Sequence, residues 1–267
     1  MEFHHPKRIG DAVGLLKRQS SVVVAGGTSF VGKPRAEHLV DVTRLGLDYI
    51  RADKKTIRIG AATTIAELEK SELTKGMVSG ILNSACSSTA DTPLRNMITV
   101  GGDVVCKFPW ANLPPVLLVL GAELSLMGRK KREVSVDKFM SSRLGRGEIL
   151  KEVVIPRNLP GKGSFIKFSK TKTDFSAITV AAYVEQSDGM ISLARVAVGG
   201  LYRPRRLKIF EKGLVDYPAD QATVSDAINI HVPVMAIPKT IFASEEYSRE
   251  VLGVLLRRAL LGIIGGA

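Results

Sequence analysis

Val22-Val23-Val24-Ala25-Gly26-Gly27-Thr28-Ser29 is the stretch from which the rest of the chain can be read. The three valines make a short apolar run suited to a buried strand. The adjacent glycines let the backbone turn tightly and bring its N–H groups up to a ligand, while Thr28 and Ser29 add hydroxyls. An anion, above all a phosphate, suits such a nest of donors. Far downstream, Thr99-Val100-Gly101-Gly102-Asp103 repeats the design with two adjacent glycines, a hydroxyl and a short polar side chain. Two nests of this kind can clasp one diphosphate from both sides. Taken singly, each is also compatible with a plain strand-ending turn.

Two familiar phosphate motifs fit poorly. Gly27 to Lys33 satisfies G-x-x-x-x-G-K, but the following Pro34 has no hydroxyl for Mg²⁺, which disfavours a P-loop NTPase. Gly26, Gly27 and Gly32 lack the G-x-G-x-x-G spacing of a Rossmann site, and no parallel βαβ unit is evident. A flavin pyrophosphate site of another architecture is the third reading.

Outward from the first loop, the hydrophobic pattern predicts a helix over 9–19 and strands at His38–Val42 and Thr56–Gly60. Thr64-Ile65-Ala66-Glu67 fits a capping box, so a helix starts there, with a second predicted over 74–86. Pro114 and Pro115 suit the first turn of a helix with the apolar body Val116–Leu120. A strand over Glu148–Ile155 closes at Pro156, and 157–163 is rich in turn residues, which marks a linker. Beyond it come strand-like runs at Phe165–Ser169, Ile178–Glu185 and Met190–Gly199, the last two joined by the tight turn Asp188-Gly189. Helical segments follow near 204–213, 221–230 and 244–262. Strands followed by helices argue for an α+β unit.

Composition narrows the function. The 267 residues carry a net charge of +12, but the basic residues are scattered and aromatics are few, which argues against a nucleic-acid platform. The densest basic run, Arg129-Lys130-Lys131-Arg132, lies between apolar stretches and reads as a hairpin tip. Cys86 and Cys106 form no CxxC, and two thiols fall short of an iron–sulfur ligand set. His4, His5, His38 and His231 are scattered, and none reads as a metal ligand or base. The N-terminus lacks signal-peptide character and no apolar run reaches membrane-spanning length, so a cytoplasmic protein with free thiols is expected.

Several motifs in order bear a family resemblance. Ala25-Gly26-Gly27-Thr28-Ser29, Ile59-Gly60-Ala61-Ala62-Thr63-Thr64, Leu94 to Asp103, Leu113 to Ala122, Gly147 to Leu150 with Ile155-Pro156, and Ala197 to Gly200 with Pro204-Arg205-Arg206 span nearly the whole chain. Together they resemble the FAD-binding medium subunit of the molybdenum hydroxylases, the xanthine dehydrogenase and carbon monoxide dehydrogenase type. The resemblance implies an α+β fold: a two-subdomain FAD domain of the vanillyl-alcohol-oxidase/xanthine-dehydrogenase type over 1–157, then a small domain over 162–267 with a three-stranded antiparallel sheet and helices. It also implies partnership with an iron–sulfur small subunit and a molybdopterin large subunit, with NAD or another acceptor taking the electrons.

Residue by residue, the resemblance gives the first loop, Val24, Ala25, Gly26, Gly27, Thr28, Ser29 and Phe30, to the diphosphate. Thr99, Gly101, Gly102 and Asp103 fall to diphosphate and ribitol, Asn112 and Cys106 to the adenosine side, Leu150 to the adenine, and Lys167 to the flavin ring. Phe175 is placed either over the isoalloxazine or in the core. Asp103 departs from the family's usual Asn, and Asn112 from its usual Asp. An ionised Asp103 beside a diphosphate is unfavourable. Together with Cys106-Lys107-Phe108, it leaves a flavin-free scaffold subunit as the alternative.

Overall fold

The computed structural model describes residues 1–29 and 36–265. Phe30, Lys33 and Pro34 therefore lie outside the described residues. The chain opens with β1 (Glu2–His4), α1 (Ile9–Leu15), β2 (Ser21–Val24) and β3 (His38–Asp41). The strands form a parallel sheet in the order β1-β3-β2. Ala12, Val13 and Leu16 close one face against Val40 and Val42. The helix ends earlier than its apolar pattern predicted.

A second layer follows: β4 (Ile50–Ala52), β5 (Thr56–Gly60), α2 (Ile65–Lys70), α3 (Ile81–Ser87), α4 (Thr92–Arg95), α5 (Val100–Cys106), α6 (Leu113–Val119), β6 (Glu123–Met127), β7 (Lys131–Ser135), α7 (Val136–Met140) and β8 (Ile149–Pro156). Its five strands pair antiparallel in the order β4-β5-β8-β6-β7. Ile57, Ile59, Leu124, Leu126 and Val153 turn one face of that sheet onto a core shared with α2, α3, α5 and α6. The basic run forms the tip of the β6–β7 hairpin.

The capping box is present as the sequence predicted: Thr64 Oγ1 accepts from the Glu67 N–H at 3.1 Å, and Glu67 Oε2 accepts from the Thr64 N–H at 2.7 Å. Thr64→Ala is expected to lower stability by about 1 kcal/mol, read as a small fall in denaturation midpoint with an unchanged slope. The helix predicted over 74–86 begins only at Ile81. Gly76, Val78, Ser79 and Gly80 all have positive φ, which breaks the helical path and turns Val78 against Gly163.

The last layer holds β9 (Lys162–Phe168), β10 (Ile178–Ser187), β11 (Met190–Gly199), β12 (Arg205–Arg206), α8 (Lys208–Lys212), α9 (Gln221–His231) and α10 (Glu245–Ile264). The three long antiparallel strands are joined by a two-residue fourth at the edge, in the order β12-β11-β10-β9. That short strand replaces the start of the helix predicted near 204. Pro204 precedes it, and Arg206 pairs with Ala197 while its guanidinium grips Glu211 at 2.6 and 2.9 Å. Asp188 and Gly189 both have positive φ, as a two-residue hairpin turn requires.

Strand β10 reads as unbroken apolar sequence because both of its faces are covered. Val180, Ala182 and Val184 face α10 in a core that α9 completes, while Ala181 and Tyr183 point the other way into the core of the second layer. The C-terminal sheet is thereby welded to the layer before it. No helix among the described residues is long and apolar enough to cross a membrane.

Candidate flavin-binding site

The three sheets meet around one cavity of about 940 Å³. That is the upper end of the range for small-molecule sites. Its walls come from the loop after β2, the first turns of α5, the segment before β8, and the loop after β9.

The first loop behaves as a donor nest. The N–H groups of Gly26, Gly27, Thr28 and Ser29 have no acceptor among the described residues, and all four residues line the cavity. Unpaired backbone donors call for a partner. The two glycines differ in purpose. Gly27 has a φ of +74°, and a Cβ there would meet nothing within 4 Å. Gly26 passes so close to the Met97 carbonyl that no side chain fits.

The second glycine pair is built differently from the expected loop. It is the first turn of α5, with Thr99 as N-cap. Its N–H groups are already engaged: Val100 donates to the Thr63 carbonyl at 2.8 Å, Gly101 to that of Ala61 at 2.8 Å, and Gly102 to Thr99 Oγ1 at 3.1 Å. Gly101 is small because Ala61 packs against it, and Gly102 because its bare backbone forms part of the cavity wall. The symmetrical two-nest picture is therefore corrected. The free donors belong to the first loop, and α5 supplies a smooth surface that a ligand can approach closely.

The unusual residues near α5 have structural partners. Asp103 lines the cavity while its Oδ2 accepts from the Leu113 N–H at the start of α6, at 3.3 Å. Burial pushes its carboxyl up to about 6, opposed by that hydrogen bond. Cys106 Sγ lies 3.3 Å from Ser29 Oγ and so ties α5 to the first loop. Lys107, at a φ of +51°, buries its ammonium over the Phe139 ring and donates to the Phe139 and Ser142 carbonyls at the end of α7. Burial brings its pKa down to about 8.

Asn112 is buried in a chain of hydrogen bonds. It accepts from Ser176 Oγ at 2.6 Å and donates to Thr89 Oγ1 at 3.2 Å, so it braces the cavity wall. Lys167 donates to the carbonyls of Ser88 at 2.9 Å, Lys172 at 3.1 Å and Asp174 at 2.6 Å. Its burial lowers its pKa, with the Asp174 charge opposing. The ammonium holds the loop after β9 in place. Lys167→Met is expected to cost about 1–2 kcal/mol and to speed proteolytic cleavage within residues 170–175. Cleavage at the wild-type rate would count against this anchoring role.

Of the residues assigned from sequence, Ala25, Gly26, Gly27, Thr28, Ser29, Thr99, Gly101, Gly102, Asp103, Cys106, Asn112, Leu150 and Lys167 line the cavity. Val24 does not. It is the last residue of β2, whereas Ser21, Val22 and Val23 before it and Ala25 after it do line the cavity. Phe175 is 60% exposed, which excludes the core alternative. It joins Phe108 and Trp110, which stack at 5.0 Å, in an aromatic group along the cavity. Sequence reasoning missed Arg18 and Arg146, which bring positive charge to the cavity lining. The only hint of Arg146 was its place between Gly145 and Gly147 in a loop before a strand.

A cavity of about 940 Å³ with backbone donors at one wall, unpaired among the described residues, and aromatics along it suits a dinucleotide cofactor. The family model described as the FAD binding domain in molybdopterin dehydrogenase matches residues 1–158, and the CO dehydrogenase flavoprotein C-terminal domain matches 164–263. The chain belongs to the FAD-binding medium subunits of the molybdenum hydroxylases, and FAD is its cofactor.

Among its relatives, the 6-hydroxypseudooxynicotine dehydrogenase complex subunit alpha of Paenarthrobacter nicotinovorans is 33% identical, over 89% of this chain and 85% of that protein. The carbon monoxide dehydrogenase medium chain of Hydrogenophaga pseudoflava is 28% identical, over 97% and 95%. A solved carbon monoxide dehydrogenase from the same organism, lacking the Mo-pyranopterin moiety, contains a chain that superposes with a TM-score of 0.92 at 25% identity, covering 99% of this chain and 97% of that one.

Proposed function

We propose that this chain holds FAD in the cavity between its sheets and relays electrons from an iron–sulfur small subunit, fed by a molybdopterin large subunit, to NAD or another acceptor. The observation that carries the reading is the set of N–H groups at Gly26 to Ser29, without an acceptor among the described residues, on the wall of a cavity of about 940 Å³. These donors would take the diphosphate, with the Thr28 and Ser29 hydroxyls beside them and Arg18 and Arg146 offsetting its charge. Thr99, Gly101, Gly102 and Asp103 would face the diphosphate and ribitol across the bare surface of α5. Asn112, Cys106 and Leu150 would shape the adenosine side, and Lys167 would keep its loop against the flavin ring. Residues 1–157 would form the FAD domain and 162–267 the C-terminal domain.

Bound FAD supplies the capacity to accept electrons singly and deliver them in pairs. The protein's own contribution is binding, orientation and exclusion of water. The test is the spectrum of the purified protein: a band at about 450 nm that a reductant bleaches is expected. A colourless protein that fails to take up added FAD would overturn the reading in favour of a scaffold subunit. Copurification with an iron–sulfur and a molybdopterin subunit tests the assembly, and NADH formation in that complex tests the acceptor.

A further inference from the structure

Three ligating atoms that the flavin site does not use converge on the parallel sheet. Glu2 lies beside His38 in register, and His4 follows two residues along β1, so all three share one face. His4 Nε2 lies 3.2 Å from His38 Nδ1 and 3.4 Å from Glu2 Oε2, and His38 Nδ1 lies 3.2 Å from the same oxygen. A tetrahedral ion bound at about 2.0–2.1 Å separates its ligands by about 3.3–3.4 Å. The three atoms therefore have the edge lengths of one face of such a tetrahedron. Hydrogen bonding covers one edge of the triangle, His4 Nε2 to His38 Nδ1, whereas both edges to Glu2 meet only the ion-pair distance.

We propose that Glu2, His4 and His38 form a binding site for a divalent transition-metal ion of the imidazole-preferring class, Zn²⁺ being the representative ion, with water completing its coordination. Two imidazoles and one carboxylate are a donor set suited to that class. Both His side chains are 20% exposed, so an ion can reach them, while Glu2 is 65% exposed and free to adjust. Arg18 Nη1 lies 4.0 Å from Glu2 Oε2 and would give way to the ion, since its side chain is 53% exposed. The ion would pin the three-residue β1 to β3, the central strand of the sheet from which the donor loop emerges.

The test is calorimetric titration of the full FAD-loaded chain with Zn²⁺, paralleled by Co²⁺ and its visible absorption. One saturable site per chain is expected, with the band intensity of tetrahedral Co²⁺. His4→Ala and His38→Ala should each weaken it by about tenfold or more, since even loss of a partner behind a ligand costs that much. His5→Ala should leave it unchanged, because His5 pairs with Asp41 instead, at 2.9 Å. If either His variant misfolds, Glu2→Gln decides, because its exposed side chain is dispensable for packing. Absence of saturable binding, or wild-type affinity in Glu2→Gln and whichever His variants fold, would overturn the site.

Discussion

Alanine at Gly26 is expected to lower stability by about 3 kcal/mol or more and to abolish flavin retention. The added Cβ would sit 1.6 Å from the Met97 carbonyl oxygen and 2.5 Å from its carbon. Both are backbone atoms, so no rotamer change relieves the clash. Met97 cannot retreat either. Its N–H and that of Ile98 both bond to the Leu94 carbonyl, and the Ile98 carbonyl accepts from Ile65 at the start of α2. The loop and the segment before α5 would have to separate, opening the cavity wall. Gly27→Ala provides the contrast. Its methyl would meet nothing within 4 Å, but φ is +74°. The cost is the left-handed conformation, about 1–2 kcal/mol, so that protein folds with a misaimed donor nest. Thermal melts paired with flavin content distinguish the two: Gly26→Ala loses both, while Gly27→Ala loses mainly flavin. A wild-type melting curve for Gly26→Ala would refute the close-approach argument.

Asp103→Asn is expected to stabilise the protein increasingly from about pH 4 to about pH 6, and to tighten FAD binding where Asp103 is ionised. Burial raises the native carboxyl from 3.8 to about 6. Between those values the folded state binds more protons than the unfolded state, so stability falls as pH rises. That rise in pKa corresponds to at most about 3 kcal/mol, reduced here by the side chain's access to the cavity. Asparagine keeps an oxygen for the Leu113 N–H and carries no charge. The variant should therefore match the wild type below about pH 4, gain on it as pH rises, and hold its full advantage above about pH 6. FAD affinity should improve by about tenfold or more at pH 8, where a carboxylate otherwise faces a diphosphate, and far less at pH 5. Denaturation midpoints and FAD titrations across that range check both. An advantage of Asp103→Asn that is constant with pH would show that charge is not its cause.

Asp103 also separates what was legible in the sequence from what was not. Its departure from the family's Asn stood out, but its accommodation did not. The carboxylate finds the N–H of Leu113 because α5 packs beside the start of α6. Lys107 is similar: it reads as one more surface cation, yet it caps the carbonyls of a helix formed thirty residues later. Cys106 looked like a disturbance of the adenosine side and proves to tie α5 to the first loop through Ser29.

Local signals carried the elements. The capping box at Thr64, the Asp188-Gly189 turn, the prolines opening α6 and the alternation in β5 depend on residues within a few positions of one another, so the chain displays them directly. The two glycine pairs likewise marked the cavity, and their order with the flanking motifs identified the family. The tertiary structure decided how each pair is used. Whether a glycine N–H faces a ligand or a neighbouring carbonyl depends on what packs beside it, and Thr63 and Ala61 take the N–H groups of Val100 and Gly101 while those of Gly26 to Ser29 meet no acceptor among the described residues. It also decided that His4 and His38, which look unrelated in the chain, meet beside Glu2. Parallel pairing of β1 with β3 sets that register, and a parallel register leaves no local trace in sequence because its two strands are joined only through the long segment between them.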